Sequence, residues 1–245
     1  MKVALVTGGS KGIGLELVLR LVELGYQVVT CSRSEAGWTK ILGIYPELDT
    51  VDHRVVDIAD EEQLAGLFAY IESEYQKLDV AVNNASPALV SRGYLPQVDI
   101  ELLKETLNVE FLCQALCLRA ELKLMGTGSS IVNVSSVNGL RPTPNASMYS
   151  ASKHALEGLT RSVALESIGS GIRINAVAPG VTWTPRWEER QLENGNIRSE
   201  VSEAVPMKRF GRTNEIVDAI EFLLSDKATY IVGHTLVVDG GLSLA

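Results

Sequence analysis

The sequence predicts a doubly wound α/β fold: a mostly parallel seven-stranded sheet with helices on both faces. Three observations carry that expectation. Short runs rich in Val, Ile, Leu and Ala recur along the chain, bounded by Gly, Asn, Asp or Ser. Most are apolar throughout rather than alternating, the composition of a strand buried on both faces of a parallel sheet. The stretches between them are long enough for a helix, as a parallel crossover requires. Finally, the first run ends in a glycine-rich turn that opens a helix, a junction suited to binding an anion.

Taken in order, residues 2–7 read as the first strand. Gly8 to Gly14 follows, then an amphipathic helix to about Leu24, stopped by Gly25. Residues 27–31 are the second strand, and 34–48 a short helix with a loop. Residues 51–58 form the third strand. Asp60 caps a helix over 60–75 whose first turn is acidic, which suits the helix dipole. Residues 79–83 are the fourth strand. A long helix spans 99–125, ended by Gly126 and Gly128. Residues 130–135 are the fifth strand, 147–168 a helix, 172–178 the sixth strand, 214–225 a helix and 235–238 the last strand. Residues 185–205 are long and weakly patterned, and loops of that length are usually functional or disordered. No linker, repeat or low-complexity tract interrupts the chain, so residues 1–245 read as one domain.

Composition narrows the classes. Apolar residues make up 46 % of the 245, enough for a sizeable core. The net charge, 22 − 30 = −8, argues against a nucleic-acid or anionic-membrane surface. No run of 18 apolar residues occurs, and a strand starting at residue 2 leaves no room for a signal peptide. The expectation is a cytoplasmic protein without membrane or nucleic-acid partners. Cys31, Cys113 and Cys117 read as reduced, buried thiols, since no His or second Cys pair accompanies them for a metal. The scattered His53, His154 and His234 suggest no role, and no metal is expected.

Tyr149 and Lys153 lie four residues apart on a predicted helix, so their side chains share a face. A free tyrosine ionises near pH 10, and a neighbouring ammonium favours the phenolate. At about 4 Å and an effective dielectric near 20, that attraction is of order 4 kcal/mol. The pair therefore predicts a Tyr149 pKa lowered by a few units, into the range of acid–base work. Alone, Tyr-x-x-x-Lys also fits an ordinary solvated pair. The loop Thr7-Gly-Gly-Ser-Lys-Gly-Ile-Gly14 adds a second signal. Its glycines at 8, 12 and 14 let the backbone turn and approach a pyrophosphate at a helix N-terminus, although the spacing is G-x-x-x-G-x-G rather than G-x-G-x-x-G.

Further pieces arrive in order: Asp57 after strand three, Asn83-Asn-Ala-Ser86 after strand four, and Asn108 in the long helix. Ser135-Ser136, Tyr149 with Lys153, Asn175-Ala-Val-Ala-Pro-Gly180 and Val238-Asp-Gly-Gly241 follow. Together, over nearly the whole length, the chain resembles a classical short-chain dehydrogenase/reductase with a Rossmann fold, of the kind of 3-oxoacyl reductases and carbonyl reductases. The resemblance implies an NAD(P)-dependent oxidoreductase that reduces a ketone of a small substrate by hydride transfer. Tyr149 would give the proton, Lys153 would lower its pKa and hold the ribose, Ser136 would hydrogen-bond the carbonyl, and Asn108 would hold a relay water. Gly8, Ser10, Lys11, Gly12, Ile13 and Gly14 would cradle the phosphates. Asp57 and Ile58 would meet the adenine, Asn84 and Ala85 the ribose region, and Pro179, Gly180, Thr182 and Thr184 the carboxamide. Residues 185–205 would be a substrate lid, with Trp187 joining Ser136 and Tyr149 at the substrate, and Trp183 beside them. A homotetramer or homodimer built through the helices near 99–125 and 147–168 is implied as well.

Two departures stand out. Ser86 replaces the glycine expected in Asn-Asn-Ala-Gly, which narrows the space beside the nicotinamide. Thr127 and Ser170 stand where acyl-carrier-protein reductases carry basic docking residues, which counts against a 3-oxoacyl-thioester substrate. A catalytically silent nucleotide-binding regulator is a third reading, opposed by the presence of Asn108, Ser136, Tyr149 and Lys153 together. The second strand settles the expected cofactor. An NAD site usually has an acidic residue at its end, on the ribose 2′-hydroxyl. Here Ser32 stands in that place, Arg33 follows it, and Lys11 offers a second cation, so NADP(H) is expected.

Overall fold

The computed structural model describes residues 1–87 and 89–245. Seven strands form one sheet in the order β3-β2-β1-β4-β5-β6-β7. They are β1 (Val3–Thr7), β2 (Gln27–Ser32), β3 (Asp52–Val55), β4 (Val80–Asn83), β5 (Ser130–Val134), β6 (Arg173–Pro179) and β7 (Thr235–Val238). Every pairing is parallel, including the edge pairs β2·β3 and β6·β7. The chain starts in the middle at β1, runs outward to β3, then crosses back to β4 and runs outward the other way. The reversal between β1 and β4 opens a crevice at the carboxyl ends of the strands, where α/β sheets bind ligands.

Alternate residues of each strand face opposite layers. Leu5, Val29, Ala81, Ile131 and Ile174 pack on one side, beneath α3 (Glu61–Tyr75), α5 (Cys113–Leu124) and α6 (Ser147–Ser167). Ala4, Val6, Val28, Val82, Val132 and Val177 pack on the other, beneath α1 (Gly12–Glu23), α2 (Glu35–Leu42) and α9 (Thr213–Leu224). All three cysteines are free and buried.

The structure departs from the sequence expectations in three places. Residues 99–125 are not one regular helix. α4 (Ile100–Leu107) passes through a π turn (Asn108–Leu112) into α5. A π turn accommodates an extra residue and leaves the apolar period on either side almost unchanged, so the pattern read as continuous. Residues 185–205 hold two helices, α7 (Pro185–Glu193) and α8 (Ile197–Ala204). Pro185 at the first position starts α7. Third, β3 ends at Val55 because the chain turns away at Asp57, whose carboxylate accepts from the Ala59 N–H at 3.0 Å. Among the described residues no helix is long and apolar enough to cross a membrane.

Candidate active site

The glycine loop joins β1 to α1 with Gly8 and Gly12 at φ +74° and +59°. Both are left-handed conformations that glycine adopts without cost. Gly9 and Gly14 are needed for space. A Cβ at Gly9 would run into the Thr30 hydroxyl, and one at Gly14 into the Gly8 carbonyl. Gly9 was not singled out in the sequence, since its partner Thr30 lies on the neighbouring strand. The loop is tied to β4 through Thr7, whose hydroxyl accepts from the N–H groups of Asn84 and Ala85 at 3.0 and 3.1 Å. The Asn84 amide donates back to the carbonyls of Thr7 and Gly8 at 3.0 and 3.2 Å.

The carboxyl ends of β1, β4, β5 and β6 surround a cavity of about 410 Å³. Of the residues singled out in the sequence, Gly8, Ser10, Lys11, Gly12, Ile13, Ser32, Arg33, Asp57, Ile58, Asn84, Ala85 and Asn108 line it, as do Ser136, Tyr149, Lys153, Pro179, Gly180, Thr182, Thr184 and Trp187. Gly14 does not; it lies buried under the loop. Trp187 lines the cavity and also packs edge-on against Phe210, with centroids 5.0 Å apart, whereas Trp183 packs on Phe210 without lining it. The distant motifs brace one another. A Cβ at Gly180 would come within 2.7 Å of the Asp239 Cβ, so the Pro-Gly turn and the Asp-Gly-Gly turn must meet without side chains between them. Asn175 is structural: its amide donates to the Ile231 carbonyl and accepts from the His234 N–H, both at 2.9 Å.

At the inner end, Ser136 follows β5 and Tyr149 and Lys153 follow on α6. The turn carrying Ser136 packs closely on α6: a Cβ at Gly139 would lie 2.9 Å from the Lys153 carbonyl. That contact sets Ser136 against Tyr149. Lys153 is 2 % exposed. Its ammonium donates to the Val134 carbonyl at 3.3 Å, lies 5.7 Å from the centre of the Tyr149 ring, and pairs with the Glu110 carboxylate at 2.9 Å. Glu110 is equally buried and its other oxygen accepts from the Ser86 hydroxyl at 2.6 Å.

This arrangement overturns the expected lowering of the Tyr149 pKa. Burial raises it above the ordinary tyrosine value, and the opposing pull of Lys153 is weakened by Glu110, which raises it further. The Ser136 hydroxyl and Arg186 act in the lowering direction. For Lys153, burial favours the neutral amine, but Glu110 and Tyr149 outweigh it and the pKa is raised. The missing element in the sequence argument was Glu110, which lies 43 residues before Lys153 and matches no motif. Arg186 on α7 was missed as well. Its guanidinium donates to the carbonyls of Ser86 and Pro87 at 2.8 and 2.5 Å, pinning α7 to the loop after β4.

At the outer end, Arg33 is 67 % exposed, with Asp57 4.0 Å away. Lys11 is exposed at the start of α1. The Ser32 hydroxyl is 2.8 Å from Nε2 of His53, a side chain only 3 % exposed and stacked on Trp38 at 4.6 Å. His53, given no role in the sequence, thus orients Ser32.

A glycine-lined loop at a helix N-terminus, facing a Ser–Tyr–Lys cluster across one crevice, is the arrangement of a nicotinamide-dependent oxidoreductase of the doubly wound class. A family model described as enoyl-(acyl carrier protein) reductase matches residues 8–243. The chain is 35 % identical over 246 residues to cis-4-hydroxycyclohexanecarboxylate dehydrogenase of Sinomonas cyclohexanicum, covering 98 % of this chain and 96 % of that one. It is 33 % identical over 261 residues to levodione reductase of Leifsonia aquatica, covering 100 % and 95 %. Among solved structures, ElxO with NADP bound superposes with a TM-score of 0.92 at 31 % identity, covering 100 % of this chain and 99 % of that one. The chain belongs to the short-chain dehydrogenase/reductase family and is an NAD(P)-dependent oxidoreductase.

Proposed function

We propose that this protein is an NADPH-dependent reductase of a small, partly apolar ketone, working through Tyr149, Ser136, Lys153 and Asn108. The observation that carries the reading is the convergence of these four residues on one cavity whose far end holds Ser32, Arg33 and Lys11. A nicotinamide held in this cavity would supply a hydride for the carbonyl carbon. The chain's own residues do the rest. The Ser136 hydroxyl donates to the carbonyl oxygen as negative charge gathers there, and Tyr149 delivers its proton to the same oxygen. Lys153 holds positive charge beneath the phenol and reaches toward the ribose. Asn108 lines the cavity at the start of the π turn, placed to hold a relay water.

The cofactor fits the residues present. The cradle over Gly8 and Gly12 offers backbone at a helix N-terminus, and Thr184 closes on Gly12 from across the cavity. Fold alone does not choose between cofactors, since a further solved neighbour, 4-hydroxyisoleucine dehydrogenase, is complexed with NADH. The choice lies with Ser32, Arg33 and Lys11. A carboxylate would repel a 2′-phosphate, whereas these groups attract it, and one charge-assisted contact is worth roughly 1.5–3 kcal/mol. The cyclohexane ring in the name of one relative's substrate supports a compact ring ketone. A carrier-protein thioester is disfavoured, because Thr127 and Ser170 bond to each other, hydroxyl to carbonyl, at 3.1 Å and neither is basic.

The test is NADPH and NADH oxidation against a panel of cyclic ketones, diketones and acetoacetyl thioesters. Ketone turnover with kcat/KM at least about tenfold higher for NADPH is expected, given one such contact. Equal or better use of NADH would mean that Arg33 and Lys11 do not read the phosphate. Ser32→Asp should move the preference toward NADH, and Arg33→Ala should weaken NADPH alone. The expected assembly is a homodimer or homotetramer through α4, the π turn, α5 and α6, whose faces leave Ile100, Leu107, Leu112 and Leu165 exposed.

A further inference from the structure

We infer that Glu110, held by Ser86, is a positioning residue that keeps the Lys153 ammonium charged and in place and so sets the pH range over which Tyr149 can give its proton. The inference rests on the proposed function only for the identity of the reaction. Its basis is a buried chain of three contacts. The Ser86 hydroxyl donates to one Glu110 oxygen at 2.6 Å, and the other oxygen meets Lys153 Nζ at 2.9 Å. Among the described residues that second oxygen has no partner besides the ammonium. Both charged side chains are nearly sealed from solvent, at 2 % and 3 % exposed. A buried carboxylate is costly unless paired, and so is a buried ammonium, so each requires the other.

The contacts explain Ser86. A glycine there would strip Glu110 of its only hydroxyl donor among the described residues and leave the carboxylate free to turn. They also give the π turn a purpose. Glu110 sits at its centre, two residues beyond Asn108, and both reach the active-site end of α6. Arg186 completes the arrangement from the lid, bonded to the Ser86 carbonyl rather than to Glu110.

The charged and titratable groups facing the pair can be enumerated by element. Lys153 and Tyr149 belong to α6, Glu110 to the π turn, and Arg186 to α7. β5 presents only the Val134 carbonyl, and Ser136 follows it with a hydroxyl. Glu105 of α4 lines the same cavity. Removing the Glu110 charge acts on this set in one direction. Tyr149 loses a negative neighbour, and Lys153 loses the partner that offsets its burial, so both release protons at lower pH. Either event costs ketone reduction its proton donor or its ammonium sooner as pH rises.

The experiment compares wild type, Glu110→Gln and Ser86→Ala in NADPH-dependent ketone reduction from neutral to alkaline pH. The alkaline limb of kcat/KM is expected to move down by about one pH unit or more in Glu110→Gln, the scale of one partly screened charge. Ser86→Ala should move it in the same direction by less. A limb that stays in place or moves up in folded Glu110→Gln overturns the inference. Should that variant not fold, the same two outcomes in Ser86→Ala decide. A second readout does not need turnover: the tyrosinate absorbance that Tyr149→Phe removes should develop at lower pH in the Glu110→Gln background. If wild type reduces no ketone, the proposed function fails while this titration still judges Glu110, and an unmoved titration overturns its role.

Discussion

Lys153 is a buried ammonium with three neighbours of different kinds: a carbonyl, a phenol and a carboxylate. Its pairing decides what can be removed safely. Tyr149→Phe deletes one hydroxyl at the cavity wall and leaves the ion pair intact. Turnover should fall by orders of magnitude while NADPH affinity, measured by fluorescence titration, stays nearly unchanged. Near-normal turnover would remove Tyr149 from the chemistry. Lys153→Ala is different, because it strands Glu110 as an uncompensated buried charge. Breaking a buried pair in this way costs about 3–5 kcal/mol, so denaturant unfolding should show a large loss of stability alongside the loss of activity. Stability equal to wild type would mean that Glu110 finds water or another partner. The legibility of these residues follows from their spacing. Ser136, Tyr149 and Lys153 lie within 18 positions and could be read from sequence, whereas Glu110, Arg186 and His53 act through partners on other elements. The same blindness misdirected the Tyr149 pKa, since the sequence displayed the attracting charge but not the charge that balances it.

Among the elements, α7 and α8 were the least legible. α7 buries no residue fully, and its sequence, Pro-Arg-Trp-Glu-Glu-Arg-Gln-Leu-Glu, has no apolar stripe to announce a helix. What holds it is local and tertiary. Pro185 starts it, Arg190 lies over the Trp187 ring at 4.3 Å, Trp187 meets Phe210, and Arg186 grips the loop after β4. None of these partners can be paired by inspecting a sequence. The sheet-layer helices α1, α3 and α9, by contrast, bury Leu, Val or Ile at regular intervals, as with Leu17 and Leu21, Leu64, Leu67 and Ile71, and Ile216, Ile220 and Leu223, and lie within a few residues of their expected bounds. The proposed lid is tied to the loop after β4 by one guanidinium and should be easy to loosen there. Arg186→Ala removes both bonds to the Ser86 and Pro87 carbonyls, and each such bond is worth about 0.5–1.5 kcal/mol net. We expect a several-fold higher KM for the ketone, a thermal midpoint within a few degrees of wild type, and little change in NADPH affinity (all on the order set by two hydrogen bonds). An unchanged KM would show that the lid closes without this clamp. Exchanging residues 186–205 of the proposed lid, with Pro185 kept beside Gly12, should alter substrate preference while leaving cofactor affinity within about a few-fold.

At the scale of the whole molecule, the parallel sheet and its two helix-covered faces were legible because strand composition and crossover length are properties of the chain itself. A polar network inside one of those faces was not. Glu121 on α5 is fully buried, and one of its oxygens accepts from the Asn83 amide at 3.0 Å. Asn83 also donates to Asn133, whose amide donates to Thr160, so the network joins β4, β5 and two helices. The other Glu121 oxygen has no partner among the described residues. Burial pushes its pKa up from 4.5 to about 8, and the Asn83 bond opposes this only in part. The carboxyl is therefore neutral in the folded protein at neutral pH and ionised in the unfolded chain. The sign of the effect on stability follows from that difference. Below the unfolded pKa near 4.5 both states are protonated and Glu121 costs nothing through ionisation. As pH rises from there to about 8, the unfolded chain loses the proton first and folding must restore it, so stability falls. Each pKa unit of difference corresponds to about 1.4 kcal/mol. Glu121→Gln keeps the shape and the acceptor for Asn83 but cannot ionise. Its stability relative to wild type should therefore rise between about pH 5 and pH 8 and level off above, by at least about 1 kcal/mol across that window. Urea unfolding of the two proteins at a series of pH values measures the difference directly. A gap that stays constant with pH would mean that Glu121 is charged in the fold and that the network carries a buried anion instead of a neutral acid.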